Sequence, residues 1–203
     1  MSNFEMDWNS IPDSNSQDKV DFYKIEPGSN NRFRIAGKPG VIDIHWEKSI
    51  DGMNKKILCS GPECPICKMN KAPQTRYQVL VIDRKDNKIK VLEGGPTIFN
   101  QIKNYAKEED YGDPTKYDFK INKEGTGRET KYTLMPSPKK SDYTDEEKEL
   151  IANSKPLSEI NKFKTKEEID AMHLEIFANS IVNNNIDDDF VTTMDDNDEW
   201  GDI

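Results

Sequence analysis

The chain is short of the residues that carry most disulfide and catalytic chemistry: 203 residues hold three cysteines and two histidines. Three cysteines cannot all pair with one another, which excludes the disulfide framework of a small secreted domain. No apolar run approaches the roughly 20 residues of a membrane-spanning helix. Met1–Lys19 lacks the basic start and apolar middle of a secretion signal. A soluble, intracellular protein is expected. Hydrophobic residues make up only 33% of the chain and charged residues another 33%, so a core confined to part of the sequence is the economical reading. A phosphate-binding loop is missing too: EGTG at 124–127 has no Lys-Ser/Thr and no helix context, and reads as a hairpin turn.

Charge is plentiful but unevenly placed. The formal net charge of -9 looks unfavourable for contact with nucleic acid, yet residues 186–203 alone carry -8 and residues 1–21 carry -4. The stretch between them is therefore +3. Acidity belongs to the ends and the middle is mildly basic.

The pattern predicts an acidic, loosely ordered arm over 1–21, a β-rich core over 22–140, a helical extension over 141–185 and a disordered acidic tail over 186–203. In TRYQVLVIDR, Tyr77, Val79 and Val81 alternate with Gln78, Leu80 and Ile82, so both faces are mostly apolar and a central strand is expected. A polar turn at 85–87 joins it to KIKVLEGG. Ile98, Ile102 and Tyr105 at helical spacing, with Pro96 before them and Gly112 after, predict a helix over about 97–109. A hairpin follows, with its turn at EGTG. Thr144 with Glu147 and Thr165 with Glu168 fit capping boxes, the second opening a helical run, TKEEIDAMHLEIFANSI, that includes His173. Short strands around one helix suggest a mainly β (α+β) fold, an OB-fold barrel with added helices. Phe33 and Phe99 are assigned to its core.

All three cysteines and one histidine fall in HWEKSIDGMNKKILCSGPECPICK, residues 45–68. Cys64 and Cys67 form a Cys-x2-Cys turn shaped by Pro65, and His45 and Cys59 end two neighbouring strand segments. Such a Cys3His set suits tetrahedral Zn2+. Four protein ligands leave no open position, so the zinc is expected to be structural, within a subdomain of about 45–75. A redox Cys-x2-Cys lacks the surrounding βαβ pattern.

HWEK, KKILC, CPICK, TRYQVLVIDR and KVLEGGPTIFNQIKNYAKEEDYGDPTKYDFKINKEGTG, with the acidic end, together resemble the single-stranded DNA-binding proteins of T-even bacteriophages and their relatives in other tailed phages. The resemblance covers roughly residues 20–140 and the tail. It implies an OB-fold with a zinc subdomain, and a basic, aromatic-lined cleft between them. The implied activity is sequence-nonspecific coating of ssDNA in replication, recombination and repair, in the cytoplasm of the infected host. One departure stands out. The basic amino-terminal arm expected to drive cooperative self-association along ssDNA is here acidic, with Glu5, Asp7, Asp13 and Asp18 against Lys19.

Coating single strands needs cations for phosphates and rings for bases. The candidate contacts are Arg32, Arg34, Trp46, Lys48, Lys55, Lys56, Lys68, Lys71, Arg76, Tyr77, Lys103, Tyr105, Tyr111, Arg128, Lys131 and Tyr132. In the tail, the acids Asp187, Asp188, Asp189, Asp195, Asp196, Asp198, Glu199 and Asp202 surround Phe190, Trp200 and Ile203. That mixture suits a docking peptide for replication, recombination and repair proteins, one that also screens the basic surface. A metal-dependent nuclease is disfavoured because the densest carboxylates lie in the tail, so no enzymatic activity is expected. The alternative is a protein-only adaptor or DNA mimic acting through the acidic tail; a mimic should carry its acid on the folded part, where this chain is net positive, whereas an adaptor role of the tail is compatible with DNA binding.

Overall fold

A computed structural model describes residues 21–178, apart from the side chains of Ser29 and Arg128. Residues 1–20 of the expected arm, the docking tail over 186–203 and the candidate Arg128 contact lie outside it. Among the described residues seven strands are formed: β1 (Gly28–Ile35), β2 (Gly40–Lys48), β3 (Asn54–Leu58), β4 (Gln74–Asp83), β5 (Lys88–Gly94), β6 (Asp118–Glu124) and β7 (Lys131–Pro136). The helices are α1 (Pro96–Lys107), α2 (Asp145–Ala152), α3 (Leu157–Ile160) and α4 (Lys166–Asp170). The chain divides into two compact units, one taking in the described residues up to Ile42 with Thr75–Lys162, the other Asp43–Gln74 with those from Phe163 onward. No helix among the described residues is long and apolar enough to cross a membrane.

In the first unit the antiparallel order is β5-β4-β1-β6-β7. As the alternation predicts, β4 is internal. It pairs with β5 from Tyr77↔Gly94 to Asp83↔Lys88, and with β1 through Ile35↔Val81 and Phe33↔Asp83. Phe33, Ile35, Val79, Val81, Phe119 and Ile121 form the buried face with Ile98 and Ile102 of α1. The sheet is open, which corrects the closed barrel expected from the sequence and leaves an OB-fold unconfirmed. The reason is local: α1 lies on the free edge of β7, where its Gln101 side chain bonds the backbone of Tyr132 and Leu134.

Local chemistry accounts for the turns and caps. Gly125 has φ +74, and a Cβ there would stand 2.7 Å from the Glu129 carbonyl oxygen, so the β6-β7 turn needs a residue without a side chain. Both capping boxes form, Thr144 with Glu147 and Thr165 with Glu168. The second helical run is interrupted, and the chain is helical again over 175–178. α4 stops at Asp170, His173 takes φ +48, and Leu174 bridges to Ser49 while its carbonyl accepts from the Ala178 N–H at the start of the next helical turn.

Candidate metal centre and nucleic-acid interface

The metal-binding pattern is assembled by a hairpin and a knuckle. β2 and β3 pair with His45 opposite Ile57 and Ile44 opposite Leu58, which sets Cys59 just beyond the hairpin's end. The Cys59 N–H donates to the Asp43 carbonyl at 2.8 Å and fixes that position. Gly61, at φ +81, and Pro62 then open a short 3-10 turn that delivers Cys64; after Cys67 the chain reverses at Asn70, φ +58. Ile66, between the two cysteines, is fully buried with Ile57, Ile169 and Leu174. Residues just over a hundred positions away thus cover the knuckle. Their role had no signal in the local pattern.

His45, Cys59, Cys64 and Cys67 converge, every ligand atom within 4.8 Å of the others. Cys59 Sγ and Cys67 Sγ are 3.4 Å apart, and His45 Nε2 lies 3.5 Å from Cys64 Sγ and 3.4 Å from Cys67 Sγ. Zn–S and Zn–N bonds of about 2.3 and 2.0–2.1 Å in a tetrahedron give edges of about 3.5–3.8 Å. The donor set therefore fits zinc in type, and three of its six pairs are near tetrahedral spacing, the rest lying within 4.8 Å.

Electrostatics agrees. Burial and the neighbouring Cys59 and Cys64 thiols push Cys67 up to about 12, so the thiols resist joint ionisation without a cation among them. Burial acts the same way at Cys64, but backbone N–H groups of Cys67, Ile66 and Ser60 outweigh it and lower that thiol. Burial holds His45 below its ordinary value, favouring the neutral imidazole that can ligate a metal. Beside the site, buried Glu47 accepts from Lys71 Nζ at 2.7 Å.

The cations expected to meet phosphate have several fates. Arg34 is buried, its guanidinium 4.7 Å over the Tyr143 ring, 3.6 Å from Glu147 and bonded to Ser141 and the Thr115 carbonyl. Arg32 is exposed but pairs with Asp118 at 2.8 Å, which also holds Arg84. Lys48 pairs with Glu175 at 3.9 Å and Lys68 with Glu63 at 2.7 Å. Lys55 and Lys56 are half-buried on β3, Lys56 directly across from Trp46. Lys103 on α1 and Lys131 on β7 are exposed. Arg76 is half-buried with its Nε lacking an acceptor, and its Nη1 lies 3.3 Å from where a Cβ on Gly95 would stand.

The rings also divide. Trp46 is 47% exposed. Tyr105 and Tyr111 pack edge to face at 5.3 Å against the core, and the Tyr105 hydroxyl donates to the Leu134 carbonyl. Tyr132 is half-buried beside them. Tyr77 packs against Phe99 with ring centres 5.4 Å apart. Phe99, assigned to the core from the sequence, is half-buried and packs against the core cluster, a position that helical periodicity alone does not distinguish from a fully buried one.

A curated relative bears on this surface. A probable ssDNA-binding protein of Escherichia phage T5 is 40% identical over 147 residues, covering 59% of this chain and 56% of the relative. The chain is similar to a phage ssDNA-binding protein. It spans little more than half the relative's length, and T5 is not a T-even phage, so the likeness holds at the level of phage ssDNA-binding proteins and not of the T-even type. No family model and no solved structure matches the chain.

Proposed function

We propose that the protein binds single-stranded DNA without regard to sequence, and acts as a binding protein without catalysis of its own. The observation that carries this reading is the 40% identity to a phage protein named for ssDNA binding. The chemistry supports it: exposed Trp46 lies across from Lys56 on the β2-β3 hairpin, and Tyr77 and Phe99 present a second pair of rings beside Lys103. His45, Cys59, Cys64 and Cys67 hold a structural zinc, which supplies the local cohesion that the polar loop over 49–56 lacks. Coating of ssDNA during phage replication, recombination and repair in the host cytoplasm follows from this reading. So does docking of partner proteins on the tail over 186–203, which in the free protein screens the basic surface.

A protein that binds only single strands lowers the melting temperature of a duplex by mass action, because it stabilises the melted form. Adding the zinc-loaded protein to a short duplex is expected to lower its melting temperature as protein concentration rises. An unchanged or raised melting temperature contradicts the proposal.

A further inference from the structure

The first unit carries an apolar cavity of about 390 Å3, lined by Ile35, Pro39, Tyr77, Phe99, Ile102 and Lys103. Its contents are unusual for an incidental surface hollow. Tyr77 and Phe99 form adjacent walls with ring planes 34° apart, and Asn100 lines it as well, offering both a donor and an acceptor. Lys103 belongs to the lining, and two further exposed lysines adjoin lining residues in the chain: Lys38 between Gly37 and Pro39, and Lys107 next to Ala106. None of the three has an ion pair among the described residues. Many other cations of this unit do, including Arg32, Arg34, Arg84, Lys85, Lys90 and Lys116. Asp113, next to lining residue Pro114, is turned onto the backbone and hydroxyl of Thr115, while the exposed acids Glu108, Glu109 and Asp110 follow Lys107 in the chain and do not line the cavity.

We infer that this cavity takes one unstacked base of a single-stranded DNA, held against Tyr77 and Phe99, with the flanking phosphates on Lys38, Lys103 and Lys107. The inference rests on the ssDNA-binding reading and assigns it a particular seat. Rings supply stacking that any base can use, and the lysines match the phosphates on either side of the base. All lining residues belong to the first unit, so the seat is built without the metal ligands.

The test is titration of the full zinc-loaded chain with a labelled oligo-dT across a salt series. Phe99→Leu, which keeps an apolar side chain and removes the ring, is expected to weaken binding about ten-fold with little change in salt dependence. Lys103→Gln, at an exposed position that leaves the core intact, is expected to reduce the slope of log affinity against log salt by about 0.7. Wild-type behaviour in both variants, with the parent protein binding, overturns the base seat and leaves the general ssDNA reading standing. No binding by the parent protein overturns both.

Discussion

The side-chain amide of Gln101 stands in for a neighbouring strand at Leu134. Its Oε1 accepts the Leu134 N–H at 2.9 Å and its Nε2 donates to the Tyr132 carbonyl at 2.9 Å. Tyr105 completes the edge by donating to the Leu134 carbonyl at 3.2 Å. An exposed strand edge invites pairing with another chain, and here a helix covers it with side chains. Gln101→Leu keeps the length and removes both bonds, so it is expected to destabilise the first unit by about 1–3 kcal/mol in urea unfolding. Equal midpoints for the two proteins would show that the edge is satisfied in some other way.

Arg34 and Glu147 make a second prediction. Arg34 is 3% exposed, and Glu147, 7% exposed, is shared between Arg34, Arg84 and the capping box of α2. Removing one member of a buried pair strands the other charge, at a typical cost of about 3–5 kcal/mol. Glu147→Ala is therefore expected to lower the thermal midpoint sharply. Arg34→Gln should also lose stability yet leave the salt slope of DNA binding unchanged, whereas a shallower slope would return Arg34 to the phosphate-contacting set.

Alkaline stability follows from the buried tyrosines. Burial raises Tyr117 to about 12, so between pH 10 and 12 the unfolded chain ionises this phenol while the folded chain keeps it neutral. The folded state then binds more protons, and stability falls as pH rises. At pH 11 the shift amounts to about 1 kcal/mol. Tyr23, also raised by burial, and Lys90, raised despite burial by hydrogen bonds to Asp83 and Asp86, act in the same direction. Tyr117→Phe is expected to flatten the fall between pH 9 and pH 11 in urea titrations; an equal fall in both proteins contradicts the assignment.

Loss of metal is expected to act on one unit. Structural zinc sites contribute apparent binding energies of about 10–16 kcal/mol, which the small cluster of Ile57, Ile66, Ile169 and Leu174 cannot replace. Cys64→Ser should fail to retain one equivalent of zinc and show fast amide exchange across 45–70. Exchange in β4 and β6 should stay slow. Full protection across 45–70 in the metal-free variant would mean that the knuckle folds on its own packing.

How much was legible depended on how local each cause is. The Cys-x2-Cys turn, the capping boxes and the two-sided apolar pattern of β4 are set by neighbours a few residues apart, and each has a recognisable spacing. Arg34 was not legible. It alternates with Phe33 as an exposed strand cation would, and its partners Ser141, Tyr143 and Glu147 lie over a hundred residues on. Barrel closure failed for a similar reason, because nothing in the periodicity of α1 marks Gln101 as a strand surrogate. The helical run after Thr165 is interrupted between Asp170 and residue 175, because Leu174 pairs with Ser49, a residue more than a hundred positions away.

Binding of single strands over duplex is the central claim, and equilibrium titration of the zinc-loaded protein with unstructured ssDNA and with duplex of equal length tests it most directly. Preference for the single strand is expected, with log affinity falling by about 0.7 per phosphate neutralised for each tenfold rise in salt. Equal or weaker binding to the single strand at every salt concentration would contradict it.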